Sequence, residues 1–210
     1  MHKQKFFFIV FEGIEGTGKS YQINKLHNNL KKNKFDVIKT REPGGSSTAE
    51  QIRKLIFSKK SNKFDKLTDF YLMNAARNEH VKNTILPAKK KNKIVISDRF
   101  TDSTYAYQVI GKKIDQKINS INQRYILKSF KPNLTIVLKA DFNTIYFRIK
   151  KRKNNNKFDN LKVNFYKKAQ NAFLLLAKKN KNYLVFDSSK NTPELEKKIF
   201  NIVLKILDNY

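Results

Sequence analysis

The octapeptide Gly13-Ile14-Glu15-Gly16-Thr17-Gly18-Lys19-Ser20 carries three of the chain's six glycines and sets a Lys-Ser pair directly behind the last of them. Glycine reaches backbone conformations closed to other residues, so such a run lets successive N–H groups turn toward one point and wrap a polyphosphate. Lys19 would then lie against the β- and γ-phosphates of a nucleoside triphosphate, with the Ser20 hydroxyl on a magnesium ion. Two other segments hold residues of the kind such a site requires. Thr40-Arg41-Glu42-Pro43-Gly44-Gly45 contains two more glycines, and Asp98-Arg99-Phe100-Thr101-Asp102-Ser103 runs on to Tyr107-Gln108, with Gly111 just beyond. Asp98 suits the Mg²⁺ site opposite Ser20, although an Asp in that place is also a common helix N-cap. The adjoining Arg99 favours phosphate chemistry.

These segments need a frame that brings them together. Short apolar runs at Phe6–Phe11, Val37–Thr40, Ile94–Ser97, Leu134–Leu138 and Tyr183–Phe186 read as buried strands, each followed by a longer polar stretch of helical character. Near-continuous apolar strands alternating with helices predict a doubly wound, five-stranded parallel sheet covered on both faces. In such sheets ligands gather beyond the C-terminal ends of the strands, where all three candidate segments fall. The run Lys150–Lys157, behind a helix expected to begin near Asn143, reads as an exposed loop.

At 210 residues and 40% hydrophobic, the chain suits a single domain. It has no cysteine, so disulfide frameworks and thiolate metal sites are excluded. No secretory signal is evident, and no run approaches the roughly 20 apolar residues of a membrane span; a cytoplasmic protein without a membrane partner is expected. The formal charge of +28 would ordinarily suggest nucleic acid. The lysines are scattered among many Asn, Ile and Phe, however, all AT-rich in their codons, so no nucleic-acid partner is expected. His2, His27 and His80 sit in no catalytic motif.

Together these residues resemble the thymidylate kinase family, which phosphorylates dTMP to dTDP with ATP and Mg²⁺. The resemblance covers nearly the whole chain: the acidic P-loop at Gly13–Ser20, Thr-Arg-Glu-Pro-Gly-Gly at 40–45, Ala-Ala-Arg ending at Arg77, Asp98-Arg99-x-x-x-Ser103-x-x-Ala106-Tyr107-Gln108, and Phe-Asp-Ser-Ser at 186–189. It implies a P-loop kinase fold over residues 1–210, a mobile lid at about 148–160, and a homodimer paired through sheet-flanking helices. It implies ATP on Gly13, Ile14, Glu15, Gly16, Thr17, Gly18, Lys19 and Ser20, with metal on Ser20 and Asp98. Glu15 would contact the acceptor's sugar, Arg41 and Arg99 its phosphate, and Arg77 its thymine, with Ser103, Thr104 and Gln108 completing the base pocket and Tyr107 against the sugar. Met73 stands where relatives usually have an aromatic ring over the base. With Gly16 rather than Arg inside the loop, the resemblance assigns transition-state charge to a lid arginine, Arg148 or Arg152. The family's Asp after the fourth strand is Lys139, and of the lid's usual acids Asp159 is left.

Two other classes stay open on sequence: another P-loop nucleoside monophosphate kinase, and a nucleic-acid-stimulated P-loop ATPase. The Arg77 and Tyr105–Gln108 signature argues against adenylate or guanylate acceptors. A chain of 210 residues leaves little room for a strand-binding module beside the nucleotide core.

Overall fold

A computed structural model of the chain describes residues 4–58, 64–151, 163–190 and 192–210. Its centre is a five-stranded sheet: β1 (Phe7–Glu12), β2 (Val37–Arg41), β3 (Ile94–Asp98), β4 (Leu134–Lys139) and β5 (Tyr183–Asp187). All pairings are parallel, in the order β2-β3-β1-β4-β5. Each strand matches an expected apolar run and ends one residue beyond it, β1 also beginning one residue later at Phe7, and the fold is the anticipated doubly wound α/β arrangement.

Successive side chains on a strand point to opposite faces, so a strand covered on both sides must be apolar throughout. β1 meets that condition. Phe7, Ile9 and Phe11 pack with Ile23, Leu26 and Leu30 of α1 (Lys19–Lys32) and Ile199 and Val203 of α9 (Pro193–Asp208). Phe8 and Val10 point the other way, onto Val81, Ile85 and Ala88. The edge strands β2 and β5 are partly exposed: β2 carries Lys39, Thr40 and Arg41, while β5, apolar up to Phe186, leaves Val185 exposed at the sheet edge.

Helices α2 (Ser47–Phe57) and α3 (Lys66–His80) follow β2, and α3 continues through a π-helical turn at Val81–Ile85 into α4 (Leu86–Lys90). The widening comes directly before Pro87, which has no N–H to give and would crowd a regular helix. After β3 come α5 (Thr101–Thr104), a second π segment (Tyr105–Gly111) and α6 (Gln116–Leu127); α7 (Phe142–Lys150) and α8 (Val163–Lys179) flank β4 and β5. Side-chain caps open several of these: Ser46 on α2, Asp65 on α3, Asp115 on α6, Asp141 on α7 and Thr192 on α9. α1 differs. Its N-cap is Gly18, left-handed at φ 83°, with no side chain on its first amides. Those donors are left for an anion.

Candidate active site

Because the sheet is parallel, every strand delivers its last residue to the same edge. Asp98 there is level with Phe11 of β1 and Arg41 of β2. Two backbone bonds tie the turns beyond: Arg99 N–H to Phe11 O at 2.9 Å and Glu42 N–H to Asp98 O at 2.9 Å.

The glycine loop follows β1. Gly13 sits at φ 137°, and a Cβ there would come within 2.3 Å of the Leu138 carbonyl oxygen, so no other residue lets the loop pass β4. Lys19 is buried beneath it and donates to the carbonyls of Gly13 and Ile14, each at 2.9 Å; the Thr17 hydroxyl donates to Ile14 O at 2.8 Å. Burial, reinforced by the nearby Arg99 charge, brings the Lys19 ammonium down to about 8. The Ser20 hydroxyl donates to Asp98 Oδ2 at 3.0 Å, while Asp98 Oδ1 is buried without a hydrogen-bond partner. An orphaned carboxylate oxygen beside a hydroxyl is a fitting donor set for Mg²⁺, which is usually held by one or two carboxylates together with phosphate oxygens. No group of three or more His, Cys, Asp or Glu among the described residues could hold a metal by itself.

Arg99 joins the loop to the segment after β3. One Nη donates to Gly13 O and Ser103 Oγ, both at 3.0 Å, and the other to Glu15 Oε1 at 2.7 Å. Glu15 is buried inside the phosphate loop, where a carboxylate is tolerable only with such a partner; its other oxygen accepts the Tyr107 hydroxyl. Burial pushes the Tyr107 phenol well above its ordinary range, so it stays a donor.

Arg77 has 3% of its surface exposed and its guanidinium is shared three ways: Nε to Glu42 Oε2 at 2.8 Å, Nη1 to Thr104 Oγ1 at 2.9 Å and Nη2 to Phe100 O at 2.9 Å. Glu42 also accepts from His80 Nδ1 at 3.0 Å, and His80 Nε2 meets Thr40 Oγ1 at 2.7 Å. Burial alone would raise the Glu42 carboxyl, yet Arg77 and His80 hold it below the usual carboxylate range. At the rim, Arg41 is largely exposed and pairs with both oxygens of Glu50, at 3.2 and 2.9 Å.

One cavity of about 440 Å³ opens among these groups. All nine residues expected around the acceptor nucleotide line it: Glu15, Arg41, Met73, Arg77, Arg99, Ser103, Thr104, Tyr107 and Gln108. Lys19, Ser20 and Asp98 line its other end with Gly16 and Gly18. Arg148 lies outside that lining, donating to Gly16 O at 3.1 Å, Ser188 O at 2.9 Å and Ser189 O at 2.9 Å. Arg152 and Asp159 lie outside the described residues.

Sequence reasoning did not single out Arg53. It donates to Pro43 O at 2.7 Å, lies 4.6 Å over the Phe57 ring and faces the cavity beside Arg41. Its one sequence signal was a basic residue on the helix behind the Arg-Glu-Pro turn, indistinct among 45 Lys and Arg. Glu42 stood in a quoted motif without a role, and Glu12 stood in none.

The site therefore offers a glycine loop with uncapped helix amides and a buried lysine, and a cavity whose lining combines the cations Arg41, Arg53 and Arg99, the apolar Met73 and Phe57, and the polar Arg77 and Gln108. A family model described as "Thymidylate kinase" matches residues 11–199. The chain is 36% identical over 199 residues to a thymidylate kinase of Halothermothrix orenii, covering 93% of this chain and 95% of that one. It is 37% identical over 203 residues to the thymidylate kinase of Mycoplasma capricolum, covering 95% of each. Among solved structures, thymidylate kinase from Ehrlichia chaffeensis superposes with a TM-score of 0.76 at 29% identity, over 95% of this chain and 99% of that one.

Proposed function

The chain belongs to the thymidylate kinase family, and from that premise we propose the following assignment of roles. The protein is an ATP-dependent dTMP kinase that forms dTDP for nucleotide biosynthesis. One observation carries the assignment: Arg99 touches Gly13 of the phosphate loop and Glu15 at once, so donor and acceptor sites share a residue.

ATP lies with its phosphates on the amides of residues 13–20, and Lys19 supplies charge at the β- and γ-phosphates. Ser20 and Asp98 would hold Mg²⁺, which screens phosphate charge and orients the oxygens when bound. The acceptor phosphate enters among Arg99, Arg41 and Arg53, Glu15 and Tyr107 meet the deoxyribose, and Arg77 and Gln108 meet the base over Met73. Phosphoryl transfer leaves little covalent work for side chains, so this alignment is most of the catalysis. The attacking oxygen is already anionic and no general base is required. The segment at about 148–160 acts as lid, excluding water so that hydrolysis is slow without dTMP. Arg148 would forfeit three carbonyl contacts in reaching the transferred group, which favours Arg152 for that charge and leaves Arg148 as a brace on the loop. The thymine methyl is worth only ~1–3 kcal/mol of discrimination, so dUMP is a slower substrate.

A cytoplasmic location, beside the ATP pool, and a homodimer complete the proposal. Leu67 and Tyr71 on α3 and Ile121 and Tyr125 on α6 are exposed apolar residues on two helices that pack together. Among the described residues no helix is long and apolar enough to cross a membrane.

The deciding test is nucleotide turnover by purified protein with dTMP, dUMP, dAMP or dGMP as acceptor, and with single-stranded DNA instead. Turnover dependent on dTMP is expected. DNA-stimulated hydrolysis without dTDP formation would end the proposal.

A further inference from the structure

Glu12, the last residue of β1, is fully buried and lies outside the cavity lining. Three donors converge on it from the segment after β3. Oε1 accepts the Phe100 N–H at 2.8 Å and the Ser103 N–H at 3.2 Å, and Oε2 accepts the Ser103 hydroxyl at 2.7 Å. The two N–H groups belong to the opening of α5, whose N-cap residue, Phe100, gives no side-chain bond. A carboxyl from a different strand does the capping. Directly before these anchors, with its own N–H on Phe11 O, Arg99 is held at φ 73°, a conformation that a non-glycine residue keeps only where the surroundings impose it. Ser103 Oγ, fixed on Glu12, is in turn an acceptor for Arg99 Nη1 at 3.0 Å.

We propose that Glu12 is a positioning residue that sets the 99–103 turn and, through Ser103, aims the Arg99 guanidinium at the acceptor phosphate. This rests on the assignment of Arg99 to that phosphate. Glu12 touches neither substrate; it makes the acceptor clamp rigid before dTMP arrives, so its loss is felt in acceptor binding rather than in ATP binding.

The protonation of Glu12 gives a second handle. Burial and the neighbouring Asp102 carboxylate push it up to about 8, against the opposing pull of Arg99. Lys19 and Tyr183 also face it, and Asp102 accepts the Tyr183 hydroxyl at 2.8 Å. In the neutral acid Oε1 still accepts both N–H groups, while the Oε2–H can donate to Ser103. Glutamine reproduces that pattern and leucine none of it.

The experiment is steady-state kinetics of the full chain with Glu12→Leu and Glu12→Gln at pH 7, and with wild type and Glu12→Gln from pH 7 to 9. Glu12→Leu is expected to raise KM for dTMP at least tenfold with KM for ATP within twofold, and Glu12→Gln to restore it. Above pH 8 the wild-type carboxylate puts a second negative charge behind the clamp, so its KM for dTMP rises while that of Glu12→Gln does not. Lys19 titrates in the same range and feels the Glu12 charge, but it belongs to the ATP phosphates, so its titration is read in KM for ATP, measured alongside, and not in KM for dTMP. Equal changes in both KM values for Glu12→Leu, or a lower melting temperature with unchanged KM, would overturn the proposal. Should Glu12→Leu not fold, identical pH profiles for wild type and Glu12→Gln overturn it alone. The wild-type rate on dTMP bears on the kinase reading and the ratios between variants on Glu12, so the two fail separately.

Discussion

Lys19 holds its ammonium against two backbone carbonyls in a site where burial and Arg99 have brought it down to about 8. A polyphosphate on the loop favours the charged form, so binding ATP above that pH must draw a proton from solution. Calorimetry at pH 8.5 in buffers of different ionisation enthalpy should therefore show proton uptake that vanishes at pH 6.5 and in Lys19→Met. The sign for folding runs the same way: the lowered value means that the unfolded chain binds more protons between pH 8 and 10.5, so Lys19 contributes increasing stability as pH rises through that window. The two arginines behind β4 separate by which constant they move. Arg152→Ala should lower kcat by about 10³-fold with little change in KM. Arg148→Ala, which frees the Gly16 carbonyl, should chiefly raise KM for ATP.

The turn after β2 shows how an element carries a site residue that it does not contain. Gly45 is left-handed at φ 89°, and a Cβ there would stand 2.4 Å from Thr40 Oγ1 and 2.6 Å from the His80 ring. Gly45→Ala must push His80 away from Glu42, and Glu42 is the partner of Arg77. We expect about 1–3 kcal/mol of lost stability, read in urea melts, together with a raised KM for dTMP. Such couplings explain what could be read in advance. The strands were legible because β1, β3 and β4 are buried on both faces, leaving an apolar signature that polar helices do not share. The glycine loop was legible because its conformations need glycine. Glu12 and Arg53 were not, since nothing in their neighbours along the chain marks them; their roles come from β1 meeting the segment after β3, and from α2 folding Arg53 back onto Pro43. The π segments were invisible for the same reason. The one at Tyr105–Gly111 nevertheless sets Tyr107 and Gln108 on the cavity, with Gly111 so close to Phe165 that a Cβ would clash at 2.5 Å.

For the whole molecule, a formal charge of +28 and an exposed apolar face pull in opposite directions. The charge draws anionic nucleotides toward the site and speeds their encounter. It also repels a second copy of the chain. Leu67, Tyr71, Ile121 and Tyr125 offer apolar area from which the proposed homodimer would build an isologous contact on α3 and α6, Tyr125 with 80% of its surface exposed. Burying four such side chains from each protomer contributes several kcal/mol at about 25 cal/mol per Å², and ionic strength scarcely alters that contribution. Repulsion between the two chains is screened as the Debye length falls from ~30 Å at 0.01 M salt to ~10 Å at 0.1 M. Dimerisation must therefore strengthen with added salt, while the association rate of ATP weakens. Sedimentation velocity between 20 and 300 mM NaCl should show the dimer fraction rising, and Ile121→Lys with Tyr125→Lys should hold the chain monomeric throughout. A dimer that dissociates as salt is added would mean that ion pairs hold it, and that the α3–α6 face is not where the two copies meet.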